Sequence, residues 1–82
     1  MDVTDDEVSN YLAELIAFKA LNEGSVQPSR QSSRIVYKVT EAELGGWIDY
    51  VNRNWKLKGF LTEIQILMLK EVGFPFRHSV DD

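Results

Sequence analysis

The chain has 82 residues, 44% hydrophobic, 11% aromatic and 27% charged; that length supports one small core, excludes a second independent domain, and the balance is that of a folding chain. With no cysteine and a single histidine, disulfides, thiolate zinc sites, cysteine nucleophiles and the common metal sites are excluded, so no cofactor or metal is expected. The net charge of −4 conceals a segregation: residues 15–80 hold nine bases against six acids, while residues 1–14 hold five acids and the tail adds Asp81 and Asp82. No apolar run approaches the roughly 20 residues that span a bilayer, and the acidic start is the reverse of a signal peptide's basic region. A soluble, intracellular, cytoplasmic protein with no membrane segment is expected.

Thr4-Asp5-Asp6-Glu7 fits a capping box, with the Thr4 hydroxyl accepting from the NH three residues on and Glu7 reaching back to the Thr4 NH. Val8, Tyr11, Leu12, Leu15 and Ile16 follow at spacings of three and four, widened by Phe18 and Leu21, and Gly24 supplies a left-handed end. The stretch from Ser25 to Arg34 is serine-rich, contains Pro28 and has no apolar period; it reads as a polar loop pinned by Val26 and Pro28. Ile35-Val36-Tyr37-Lys38-Val39 is β-branched, but no second strand pairs with it, so an extended lead-in is expected.

Thr40-Glu41-Ala42-Glu43 repeats the box and opens a helix whose apolar stripe is Leu44, Trp47, Ile48, Val51 and Trp55. Gly45 and Gly46 each cost a helix roughly 1 kcal/mol against alanine, which points to close packing against a neighbour. Lys56 and Lys58 suit the C-terminal dipole before Gly59. Thr62-Glu63-Ile64-Gln65 is a third box, followed by Ile66 to Leu69 and closed by Gly73; this helix reads as short and largely buried. Pro75 forbids continuation, leaving Phe74 and Phe76 to cover the base. The fold class expected is all-α, a compact three-helix bundle in a single domain, with helices over about 5–23, 41–58 and 63–72 and a polar loop between the first two.

Read together, Leu44-Gly45-Gly46-Trp47-Ile48 with Asn52-Arg53, Lys58-Gly59-Phe60-Leu61-Thr62, and Leu67 through Gly73-Phe74-Pro75-Phe76 resemble the helicase-associated domain. Its pattern is Leu-Gly-x-Trp with a Gln-Arg pair, a Gly-x-Leu turn and a helix ending in Gly-Phe-x-aromatic. Upstream, Leu15, Phe18, Asn22-Glu23-Gly24 and Val26-Gln27-Pro28 are similar to that family's first helix, His-Gly end and Val-Pro loop, so the resemblance covers about Val8 to Arg77. Departures are Val8 or Tyr11 near the place of a tryptophan, Glu23 for histidine, Gln27 inside Val-Pro, Asn52 for glutamine and Phe76 for the closing tryptophan. The resemblance implies a trihelical module, often in tandem copies, attached to DEAD/DEAH-type helicases and contacting nucleic acid. A Gly-x-x-x-x-Gly-Lys-Ser/Thr phosphate loop is absent from this sequence, so the ATP-driven motor would lie elsewhere.

No nucleophile, base and orienting acid occur at a suggestive spacing, and His78 reads as an exposed bystander, so a non-catalytic module is expected. Trp47 is assigned to the core, whereas Trp55 reads as a core edge or as a base-stacking platform beside Lys56 and Lys58. Asp49, Asn52, Arg53 and Lys56 share the outer face of the second helix, either a plain solvated face or a phosphate-contacting one. Arg30, Arg34 and Lys38 recur every four residues along the loop, where backbone NH and serine hydroxyl groups would add donors. Lys70, Arg77 and His78 form a third basic group. The expected function is an accessory nucleic-acid-binding module using Arg30, Arg34, Lys38, Asn52, Arg53, Trp55, Lys56 and Lys58. The alternative is a docking or spacer domain on a helicase motor or a tandem copy, presenting an apolar patch of Phe60, Phe74, Phe76 and Val80.

Overall fold

A computed structural model describes residues 3–77, and among these three helices form: α1 (Asp5–Leu21), α2 (Glu41–Asn54) and α3 (Glu63–Glu71). Each begins on the expected threonine, whose hydroxyl accepts from the NH three residues on: Glu7 to Thr4 at 3.0 Å, Glu43 to Thr40 at 3.1 Å and Gln65 to Thr62 at 3.0 Å. Only α3 closes the reciprocal half of the box, with the Thr62 NH donating to Gln65 Oε1 at 3.0 Å. In the first two helices the acid is drawn into a tertiary bond instead. Glu7 accepts from the Trp47 indole NH at 2.7 Å and Glu43 from the Tyr11 hydroxyl at 3.0 Å, charge-assisted bonds that outweigh a local contact to a solvated NH.

Those two bonds lock α1 to α2 in an antiparallel sense, and the Tyr11 and Trp47 rings stack beside them at 4.5 Å and 6°. Helix α3 runs parallel to α1. At its start the buried Gln65 amide donates to Val3 O at 3.2 Å and Asp5 at 2.7 Å. At its end Lys19 donates to Val72 O at 2.6 Å, supplying the cation that a helix C-terminus favours. Helix α1 therefore packs on both others. The core between them is Val3, Val8, Leu15, Phe18, Leu44, Trp47, Ile48, Val51, Phe60, Leu61, Leu69 and Phe74.

The expected extended lead-in is instead a tight turn. Ile35 bridges Thr40, Val36 NH donates to Val39 O at 2.8 Å, and the NH groups of Tyr37, Lys38 and Val39 point at one carboxylate, that of Glu14, at 2.9–3.4 Å. Glu14 lies 3% exposed on α1. A β-branched run with no partner strand satisfies its donors this way, since buried NH groups must be bonded somewhere.

Other expectations shift as well. Helix α1 ends at Leu21 with Asn22 folding its amide onto Phe18 O at 2.8 Å, and the left-handed residue after the cap is Glu23 (φ 56), with Gly24 (φ 87) following. The Gly24 NH closes the end on Lys19 O at 2.8 Å. Helix α2 stops at Asn54, because residues 55–60 form turns around Gly59. Helix α3 is not largely buried: its nine residues bury Gln65 and Leu69 while Ile64 and Leu67 stand 70% and 61% exposed. A helix this short against a single neighbour can hide only one narrow stripe. Ile16 and Leu21 likewise face outward on α1.

Replacing Glu14 with alanine strands three NH donors in a partly buried turn, and the free energy of unfolding is expected to fall by on the order of 3 kcal/mol. Urea denaturation measures this; a loss within error of zero would mean that the turn stands without its carboxylate. The Tyr11 hydroxyl is pushed up from 10.0 to about 12 by burial first, then by its bond to Glu43 and by nearby carboxylates. The folded state thus favours the neutral phenol, so its contribution is complete below pH 10 and lost as pH rises toward 12. Tyr11→Phe should flatten that alkaline loss, read from denaturation midpoints across the same range.

Candidate functional site

The serine-rich loop is docked on the N-terminus of α2 through its backbone. Glu41 NH donates to Arg34 O at 2.7 Å and Ala42 NH to Ser32 O at 3.0 Å, so loop carbonyls satisfy the orphan donors of the first helical turn. In return the Ser29 NH donates to Glu41 Oε2 at 2.7 Å. That bond lowers the Glu41 carboxyl below the usual range against the opposing effect of burial, helped by Ser32 and Arg34. The hydroxyls of Ser25, Ser29 and Ser32 accept from the NH two residues ahead at 3.2–3.3 Å, so they brace the loop.

Docking brings the loop against Gly45. A Cβ there would meet Pro28 O at 3.1 Å and Arg30 Cδ at 3.4 Å, which is the close packing expected of the glycine pair; Gly46 has more room, with Arg30 Nε 3.9 Å from such an atom. Further along the same face of α2, Asn52 holds the segment after α3. Its Nδ2 donates to Pro75 O at 3.0 Å and its Oδ1 accepts from Arg77 NH at 2.7 Å. Trp55 adds an indole NH bond to Arg77 O at 3.1 Å and packs on Phe76, ring centroids 4.7 Å apart.

The two dockings converge on Asp49. Arg30 from the loop reaches it at 3.0 Å, Arg53 from the next turn of α2 at 3.5 Å, and Arg77 from the terminal segment in a short bond. Three guanidiniums thus surround one carboxylate, an excess of two positive charges on a face where all three side chains are 59–67% exposed. The Asp49 carboxyl is held below the usual range, chiefly by the Arg77 hydrogen bond, against partial burial and with further help from Arg53 and Arg30. Continuing past Arg77, Trp55 carries Lys56 over its ring at 5.7 Å, and the exposed Lys58 follows in the turn.

The eight residues expected at an interface therefore separate. Arg30, Arg53, Trp55 and Lys56 belong to this connected face, which gains Arg77. Arg34 is turned to Asn22 Oδ1 at 3.3 Å and Glu41 at 3.7 Å. Lys38 lies over Tyr37 at 5.5 Å and lines another cavity with Tyr11, Glu14 and Glu43. The four-residue recurrence of Arg30, Arg34 and Lys38 does not make a single row, because the chain turns at 30–31 and again at 36–39. Asn52 has both amide atoms engaged by the terminal segment. Arg77 was grouped by sequence with Lys70 and His78; His78 lies outside the described residues. Gly73 is the usable signal: left-handed at φ 82 just past α3, it turns the chain off the helix, and Pro75 then bars a return to helix.

Of the apolar patch expected for docking, Phe60 and Phe74 are buried at 6% and 5%, Phe76 is half-buried and Val80 lies outside the described residues. Among the described residues no cluster of His, Asp and Glu could hold a metal, and no helix is long and apolar enough to cross a membrane. Comparison with protein-family models, with curated proteins and with solved structures gave no match.

Because the Asp49 and Glu41 carboxyls are both depressed in the fold, they stabilise it above their unfolded values near pH 4 and that contribution is lost as pH falls through the lower folded ones. In Asp49→Asn the acid limb of a stability-against-pH curve should be shallower below about pH 4. Urea midpoints measured from neutral pH downward test this, and an unchanged limb would remove Asp49 from the acid response.

Proposed function

We propose that this domain is an accessory nucleic-acid-binding module that grips the phosphate backbone with little sequence preference. The observation that carries the reading is the convergence of Arg30, Arg53 and Arg77 on the single carboxylate of Asp49. Arginine presents a planar fork of donors suited to phosphate oxygens, and a carboxylate shared among three of them orients the forks without neutralising the group. Lys56 and Lys58 extend the same face as mobile point charges. The excess of charge here is local, and acids farther from it than the screening length of about 10 Å at moderate salt are largely damped, so the overall −4 does not by itself oppose binding. The helicase-associated resemblance agrees with this role, and would place the module beside an ATP-driven motor that it helps to hold on its track.

A second reading is favoured by a different observation: Ile64 and Leu67 expose apolar side chains on α3, a face that a motor domain or another copy of the module would cover. The two roles use different surfaces.

Fluorescence anisotropy with short labelled DNA and RNA at low and physiological salt tests the phosphate reading. With three to five contacts, the logarithm of affinity for duplex DNA should fall against that of salt with a slope of about −2.7 to −4.5. Alanine at Arg53 or Arg77 should each weaken binding and reduce the slope by about one. Unchanged binding in an Arg53, Arg77 double variant at low salt would refute the phosphate reading and leave docking through α3.

A further inference from the structure

Between the loop, α2 and the terminal segment lies a cavity of about 340 Å³ whose walls are Val26, Pro28, Gly45, Ile48, Asn52 and Pro75. Arg30 and Arg77 line it as well, with Asp49 between them. The lining is mixed: Val26, Pro28, Gly45, Ile48 and Pro75 are apolar, while Gln27, Asp49 and Asn52 are polar. Two proline rings and a β-branched side chain face a helix whose glycine lets the Pro28 carbonyl approach to where a Cβ would sit at 3.1 Å. Each wall is fixed by bonds described above: Ser29 and Arg34 tie the loop to α2, and Asn52 ties down Pro75 and Arg77.

We infer that this groove accepts one unstacked nucleotide of a single strand, its base against Pro28, Ile48 and Pro75 and its flanking phosphates on Arg30 and Arg77. The inference rests on the phosphate-binding reading and narrows it. A groove of this volume that sets apolar side chains beside two arginines matches a nucleotide's own division into a base and a charged backbone. A duplex keeps its bases stacked and must break that stacking to extrude one; a single strand offers bases already free to splay and stack on side chains and guanidinium planes.

Gln27 supplies a polar edge. It lines the same groove, its side chain is exposed, and its amide has no hydrogen-bond partner among the described residues. An amide carries both donor and acceptor, so Gln27 can pair with the edge of a base seated on the prolines. This is the residue that interrupts the Val-Pro pair of the helicase-associated pattern.

The test is anisotropy at low salt with four probes: a labelled single strand of on the order of 12 nucleotides as DNA, the same strand as RNA, the DNA duplex, and a deoxyribose-phosphate strand of that length without bases. Either single strand should bind at least about tenfold more tightly than the duplex, which pays for extrusion. The baseless strand should bind at least about fivefold more weakly than the intact one. Gln27→Ala, at an exposed position that leaves the fold intact, should weaken the intact strand severalfold and leave the baseless strand unchanged. Equal binding of duplex and single strand, or of intact and baseless strands, would overturn the nucleotide slot while leaving phosphate binding in place. No binding of any probe would overturn both.

Discussion

One buried carboxylate fixes where the second half of this protein begins. Glu14 leaves water, which for an acid is costly, and is compensated by the three consecutive NH groups of the turn at 37–39. The turn would otherwise carry unsatisfied donors, so each side needs the other. Its closing bridge, Ile35 to Thr40, ends on the residue that caps α2. The position of α2 along α1 follows from that cap, and with it the positions of Trp47 against Glu7, Glu43 against Tyr11, and Asp49 on the opposite face. The arginine face is thus set, through the body of one helix, by an acid on another.

Acidic and basic residues have divided roles in consequence. The acids on the α1–α2 side, Glu7, Glu14 and Glu43, are bound to indole, backbone and phenol donors. They build the fold. On the other side the guanidiniums of Arg30, Arg53 and Arg77 share Asp49 and remain more than half exposed. A net negative total is therefore compatible with a cationic face, since these acids and the three guanidiniums lie on different sides of α2.

Helix existence was legible in the sequence because it rests on local chemistry: threonine caps, apolar spacing, and glycines or proline at the ends each act within four residues. Trp47 in the core was legible for the same reason. What escaped depends on groups far apart in the chain. Glu14 stands among ordinary helix residues and looks like part of a solvated face, and nothing in its neighbourhood announces a turn more than twenty residues ahead. The reciprocal capping bonds of Glu7 and Glu43 were a reasonable reading of four residues, overridden by partners 40 and 32 positions away. The apolar run of α3 promised burial, yet burial is set by how many neighbours a helix has, which composition does not record. Of the candidate site, Arg30, Arg53, Trp55 and Lys56 could be picked out by type, but their convergence, and the inclusion of Arg77, required the path of the loop and of the segment after Pro75.

The bonds that lock the helices join residues very distant in sequence: Gln65 to Val3 across 62 positions, Lys19 to Val72 across 53, Trp47 to Glu7 across 40. A bundle of short helices usually assembles quickly, because its contacts are local and little chain entropy is lost in closing each one. Here the two ends of the described chain must meet before α1 and α3 are secured, and the loop-closure cost precedes the reward. Folding should accordingly be slower than helical content alone implies, and the opening of α3 should expose the first turn of α1 in the same event, making the two helices one cooperative unit in hydrogen exchange.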